Sequence, residues 1–324
     1  MRMGGTFLGS NNKGNPFRKI IRNGKKIDSS DLVIEGFKKL GIDALIGIGG
    51  DGSLKILQSI TKKGNINFVG IPKTIDNDVF PISQTLGAWT AAEQSALFFE
   101  NVANENTTST RQLIIHEVMG RHCGWLTAAA ASDYMKSLDS YNWLPEINIC
   151  RERWNVHAVW VPEMELDLNS ELSRLNEQMD KHDSVNLFLS EGAGTDAIIK
   201  EKESAGEELR RDAFGHVRLD ELNPGKWFAE KLKDSLSADK VLVQKSGYFA
   251  RSAKPNAKDL ELINVAFPGL GNQAIARRVF QAISNHERNI ECVIIMWSFL
   301  SRYDWAMPRN KVLENTRWAS ISPW

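Results

Sequence analysis

Short apolar runs of strand length alternate with helix-length amphipathic stretches along most of this chain. Ala44-Leu-Ile-Gly-Ile48, Ile66-Asn-Phe-Val-Gly-Ile71 and Leu113-Ile-Ile-His-Glu-Val118 read as buried strands, as do Ala158-Val-Trp-Val161, Val185-Asn-Leu-Phe-Leu189 and Val241-Leu-Val243. Helices are expected over 31–40, from 54 to 60, over 88–102, 124–131, 170–181 and 225–236. Such βαβα alternation predicts an α/β fold with mainly parallel sheets flanked by helices. The 324 residues suffice for two lobes around a cleft.

Charge and cysteine exclude several classes. Forty basic residues balance forty acidic ones, so nothing in the net charge draws the chain to nucleic acid or to an anionic membrane. Cys123, Cys150 and Cys292 are odd in number and far apart, and suggest neither a disulfide framework nor a zinc site. The chain opens without a signal-peptide pattern and carries no bilayer-spanning apolar run. A cytoplasmic protein without a membrane partner is the expectation.

Polar motifs follow directly on the apolar runs, where open parallel sheets bind ligands. In Gly49-Gly50-Asp51-Gly52-Ser53, the glycines let backbone amides approach a phosphate, and the following helix start favours negative charge. Asp51 is suited to magnesium, directly or through water. The bland reading is a tight turn with Ser53 as N-cap. Pro72-Lys73-Thr74-Ile75-Asp76-Asn77-Asp78 gathers two carboxylates, a hydroxyl and a lysine. Phosphoryl transfer to an alcohol needs a carboxylate base and cations around the phosphoryl oxygens. Asp76 and Asp78 share a side if the segment is extended; the bland reading is a solvated turn. Met119-Gly120-Arg121-His122-Cys123-Gly124 follows a third run, and the three motifs are expected on one rim of the sheet. His116 reads as a core histidine, and Trp89 and Trp125 as packing residues at helix starts.

These three motifs, with Ser190-Glu191-Gly192 and Gly247-Tyr248-Phe249-Ala250-Arg251 in order after them, resemble the 6-phosphofructokinase family over residues from about 4 to about 263. The resemblance implies a two-lobed enzyme that phosphorylates the 1-hydroxyl of fructose 6-phosphate, with magnesium as cofactor. By resemblance, Asp76 is the base, flanked by Thr74 and Asp78, with Asp78 near magnesium or substrate. Arg121 and Lys73 neutralise phosphoryl charge, and Asp51 positions the metal. Met119, Gly120 and Glu191 contact the sugar; Tyr248 and Arg251 bind its 6-phosphate. Gly50, Gly52, Ser53 and Lys13 contact the donor. The family completes its pocket from a neighbouring subunit, which implies a homo-oligomer, dimer or tetramer. Arg111 and Lys245 are candidates for that role. The implied regions are 1–125 for donor and magnesium, 126–263 for the sugar phosphate and 264–324 as a divergent tail.

Donor choice is divided between two residues. Gly52 is the ATP-type residue, since an aspartate there crowds the α-phosphate; Lys73 is typical of pyrophosphate-dependent members. Gln84-Thr85-Leu86-Gly87-Ala88-Trp89, Trp143-Leu144-Pro145-Glu146-Ile147 and the Gly247–Arg251 motif resemble the bacterial pyrophosphate branch, which favours pyrophosphate narrowly over ATP. Two departures from the family stand out. The Gly-rich phosphate loop that relatives carry before the Leu8-Gly-Ser segment has no counterpart, and the stretch after about Ile263 does not match, although 290–300 reads as a strand or helix. A second reading follows: a homologue that binds the sugar phosphate without turning it over. A nucleotide or lipid kinase with a similar GGDG loop predicts neither the TIDND nor the MGR motif.

Overall fold

The computed structural model describes residues 14–20, 26–210, 217, 219–259 and 294–297. The chain divides into two compact units, one made of Met1–Thr74, Val79–Gly87 and Pro255–Trp324, the other of Ile75–Asp78 and Ala88–Lys254.

In the first unit a short antiparallel pair, β1 (Lys19–Ile20) and β2 (Lys26–Ile27), precedes helix α1 (Ser30–Lys39). Asp28 starts this helix by accepting the Ser30 amide at 2.8 Å and the Ser30 hydroxyl at 2.6 Å. Left-handed Gly41 ends it. Strand β3 (Ala44–Gly49), helix α2 (Asp51–Gly64) and strand β4 (Asn67–Pro72) follow. β3 pairs in parallel with β4 on one side and with Ile294–Trp297 on the other. Part of the unmatched tail is thus a strand. Ile34, Phe37, Leu45, Leu57 and Ile60 form the core beneath. Each such side chain contributes about 1.5–3 kcal/mol when fully buried.

The second unit is a parallel sheet between two helical layers. Helix α3 (Ala88–Ala103) leads to strand β5 (Gln112–Val118), then helix α4 (Trp125–Ser137) and the short helix α5 (Arg151–Trp154). Strand β6 (Ala158–Trp160), helix α6 (Leu168–His182) and strand β7 (Ser184–Ser190) come next. Helices α7 (Thr195–Ser204), α8 (Leu219–Leu222) and α9 (Pro224–Ser235) lead to strand β8 (Lys240–Lys245) and helix α10 (Gly247–Arg251). β5 and β7 are buried at every residue, as strands covered on both faces must be. Their side chains alternate: Leu113, Ile115 and Leu187 pack with α6 and α9, whereas Ile114, Val118 and Phe188 pack with α3 and α4.

The strand order β6-β7-β5-β8 matters for function. The chain leaves β5, builds β6 and β7 on one side, then returns to add β8 on the other. The carboxyl ends of β5, β7 and β8 therefore flank a topological switch point, where α/β sheets hold ligands. The expectation of a single rim needs correction. The GGDGS and PKTIDND segments follow strands of the first sheet, and MGRHCG follows a strand of the second. β4 pairs with β3 and β5 pairs with β7 and β8, so among the described residues no ladder joins the two sheets.

Candidate active site

At the β3–α2 junction the chain turns through Gly50, which is extended (φ −77°, ψ 174°) and is itself the helix N-cap. Ser53 is therefore not the cap, contrary to the bland reading, and Asp51, Gly52 and Ser53 form the first helical turn with its amides directed outward. A methyl group added at Gly52 would meet nothing within 4 Å, and Gly52 is not among the left-handed residues. Glycine there answers no demand of packing or backbone. Asp51 is exposed and pairs with Lys55 at 2.7 Å, leaving a carboxylate oxygen donor at a helix start. Among the described residues, no group of three His, Cys, Asp or Glu converges as a metal cage.

The segment after β4 is braced. The Lys73 amide donates to Gly49 O at 2.8 Å, and Thr85 Oγ1 donates to Thr74 O at 2.7 Å. Leu86 N–H donates to Pro72 O, and the buried Asp259 accepts the Gly87 amide at 3.0 Å. Lys73 is exposed and Thr74 half-buried.

Asp76 and Asp78, in the second unit, do not lie on an extended segment. Asn77 is left-handed (φ 54°), so the chain turns between them. Asp76 is half-buried and Asp78 exposed. Burial pushes the Asp76 carboxyl up to about 6, the carboxylates of Asp78 and Glu191 push the same way, and Arg251 opposes them.

Glu191 joins this group from the end of β7. Its amide donates to Val118 O at 2.9 Å, and its Oε1 accepts the Gly120 amide at 3.4 Å. Burial raises its pKa, while the Gly120 amide, Arg121 and Lys245 lower it. Ser190 Oγ donates to Gly120 O at 2.5 Å, and Gly192 N–H donates to the same oxygen at 3.2 Å. The loops after β5 and β7 are thereby stitched together. Gly120 has φ 137°, which L side chains rarely adopt. A Cβ at Gly192 would sit well inside contact distance of the Arg121 carbonyl and 3.0 Å from that of Gly120.

The third contribution comes from β8. Gly247 packs against Met119, where an added Cβ would lie 3.2 Å from the Met119 side chain. Tyr248 is 86% exposed, and the Arg251 guanidinium lies 6.0 Å from its ring centre. The β5, β7 and β8 ends thus bring Met119, Gly120, Arg121, Glu191, Tyr248 and Arg251 to one edge of one sheet.

Arg111 stands apart from this edge, whereas Lys245 ends β8 at the edge and is held by other partners. Arg111 is at the opposite, amino end of β5, with its guanidinium on Ser237 O (3.0 Å), Leu236 O (2.7 Å) and Asp180 (2.7 Å). Lys245 pairs with the buried Glu117 at 2.8 Å and donates to Asn223 at 3.0 Å. Lys13 lies outside the described residues. Sequence reasoning missed Glu117, whose Oε2 accepts the Gly225 amide at 2.9 Å and so braces α9 from 108 residues away. It also missed Thr85 as the brace of Thr74. An acid inside an apolar strand was the available signal for Glu117.

Comparison with known proteins places the chain in a family. The family model described as Phosphofructokinase matches residues 1–264. The chain is similar to a pyrophosphate–fructose 6-phosphate 1-phosphotransferase of Methylomonas methanica, 47% identical over 299 residues, covering 89% of this chain and 72% of that one. A protein of the same name from Methylotuvimicrobium alcaliphilum is 49% identical over 277 residues, covering 84% and 67%. Among solved structures, the pyrophosphate-dependent phosphofructokinase of Nitrosospira multiformis superposes with a TM-score of 0.53 at 22% identity, over 80% of this chain and 56% of that one. That likeness concerns the fold.

Proposed function

We propose a function from the premise that this chain belongs to the phosphofructokinase family: it transfers a phosphoryl group to the 1-hydroxyl of fructose 6-phosphate, with pyrophosphate as the favoured donor. The observation that carries this reading is the Asp76 carboxyl, raised to about 6 by burial and by Asp78 and Glu191. A base with that pKa is ionised at neutral pH yet basic enough to accept an alcohol proton in the transition state.

In this reading the 1-hydroxyl oxygen forms a bond to the terminal phosphorus as the bridging P–O bond breaks. The hydroxyl proton passes to Asp76, and orthophosphate leaves with the bridging electrons. Arg121 and Lys73 neutralise phosphoryl charge. Thr74, held by Thr85, flanks the base, and Asp78 faces metal or substrate. Met119, Gly120 and Glu191 orient the sugar; Tyr248 and Arg251 hold its 6-phosphate. Gly50, Gly52, Ser53 and Lys13 serve the donor.

The donor set suits magnesium, which takes one or two carboxylates and completes its shell with water and phosphate oxygens. Asp51 fits this, being an exposed oxygen donor. When bound, the ion neutralises charge on the donor phosphates.

The regions 1–125, 126–263 and 264–324 carry the donor, the sugar phosphate and no assigned role. Homo-oligomeric assembly belongs to the same reading. For Arg111 to serve a neighbouring subunit, its guanidinium must leave Ser237, Leu236 and Asp180. Among the described residues no helix is long and apolar enough to cross a membrane; a cytoplasmic location is part of the proposal.

Pyrophosphate is favoured because the relatives at 47% and 49% identity bear that name. ATP is the second reading, favoured by the open space at Gly52. A coupled assay with fructose 6-phosphate, magnesium and each donor in turn decides. Turnover is expected with pyrophosphate and little with ATP; turnover with ATP alone sinks the donor choice. Sugar-phosphate binding with turnover by neither donor selects the binding-only homologue.

A further inference from the structure

His116 is fully buried on β5, three residues before Met119. Its ring stacks on Phe99 (centroids 5.3 Å apart, planes at 10°) and is closed in by Phe98 at 5.6 Å and Phe188 at 4.8 Å. A phenyl ring would suit this box at no polar cost; an imidazole there loses its hydration. One nitrogen offsets that loss. Nε2 lies 2.9 Å from Ser246 Oγ, which is in turn 3.1 Å from Ser95 Oγ on α3. Ser246 and Ser95 are also fully buried. Burial pushes the His116 pKa down to about 3, so the ring is neutral throughout the working range.

Ser246 is the N-cap of α10, the helix that carries Tyr248 and Arg251. A capping serine ordinarily uses its hydroxyl on the first helical amides. Here it makes no side-chain cap, and its hydroxyl faces His116 and Ser95 instead. The start of α10 is thus anchored sideways into the sheet and α3. Phe249 adds a second hold, 5.9 Å from Phe98.

We infer that His116 is a positioning residue for the sugar-phosphate site: through Ser246 it fixes the start of α10, and with it Tyr248 and Arg251. This rests on the reading of those two residues as 6-phosphate ligands. It deepens that reading by adding a residue that touches no substrate.

Three variants test it: His116→Phe, which keeps the aromatic fill; His116→Gln, whose amide nitrogen can stand in for Nε2; and Ser246→Ala. Losing a buried hydrogen bond at this anchor is expected to raise the KM for fructose 6-phosphate by about tenfold in His116→Phe and Ser246→Ala. The donor KM should stay close to wild type, and His116→Gln should recover most of the loss. An unchanged sugar-phosphate KM in folded His116→Phe, or an equal rise in both KM values, overturns the inference. Hydrogen exchange of the backbone amides over 246–251 gives a readout independent of turnover. Exchange about tenfold faster in His116→Phe than in wild type is expected, and unchanged exchange overturns the inference even if the wild type proves inactive. Should His116→Phe fail to fold, Ser246→Ala carries both measurements. An absence of wild-type turnover alone counts against the functional reading, not against the anchor.

Discussion

Asp76→Ser loses phosphoryl transfer by a factor of about 10²–10⁴ in kcat while fructose 6-phosphate still binds. The loss falls on kcat because the carboxylate acts only as the proton leaves the 1-hydroxyl. Binding survives because the 6-phosphate and the sugar are assigned to other residues, Tyr248, Arg251 and Glu191. The wild-type pH profile belongs to the same claim. With the carboxyl at about 6, kcat/KM should fall about tenfold per pH unit below that value. Stability moves the other way. A carboxyl at about 6 when folded and 3.8 when unfolded favours the folded state while protonated. That stability is present below about pH 4 and lost as the pH rises through about 6, roughly 3 kcal/mol in all. Asp76→Ser removes the burden of a buried charge, so it should resist denaturant better than wild type at pH 8, with the advantage gone near pH 4. Near-wild-type turnover in the variant would remove Asp76 from its role.

Gly192→Ala is the second large effect, and it acts through packing. The new methyl group would sit against the Arg121 carbonyl, which must retreat by more than about 1 Å; misplacing catalytic groups by that much costs on the order of 10²-fold in rate. Retreat also strains the bonds from Ser190 and Gly192 to Gly120 O, so a stability loss of about 1–3 kcal/mol is expected alongside. Gly36→Ala is the control. It lies in α1 with nothing within 4 Å of an added methyl group, and alanine favours the helix by roughly 1 kcal/mol. Steady-state kinetics and denaturant melts of the two variants separate these effects. Wild-type behaviour of Gly192→Ala would mean that the two loops are not held as described.

The strands were legible because apolar runs buried on both faces have few alternatives: Leu113–Val118 and Val185–Leu189 fall within β5 and β7. Helix α2 was legible from Leu54 onward, but its first turn was not. Asp51, Gly52 and Ser53 are poor helix formers, yet the helix begins with them, after Gly50 as its N-cap. The turn at Asn77 was in view only as the bland reading, although asparagine is one of the few residues that enter the left-handed region readily. The motifs named candidate residues through resemblance, and the strands that those motifs follow belong to two sheets where one was expected. What remained illegible is long-range. Ser190 reaches Gly120 across 70 residues, Glu117 reaches Gly225 across 108, and His116 reaches Ser246 across 130. No periodicity carries such pairings; the strand order β6-β7-β5-β8 creates them.

The central claim is that this chain moves a phosphoryl group from pyrophosphate to the 1-hydroxyl of fructose 6-phosphate. Phosphorus NMR of the chain with both compounds and magnesium tests it directly. The pyrophosphate signal should be replaced by equal amounts of orthophosphate and a new phosphomonoester on carbon 1, the 6-phosphate remaining in place. Release of orthophosphate with no new ester, or an ester at another carbon, would contradict it.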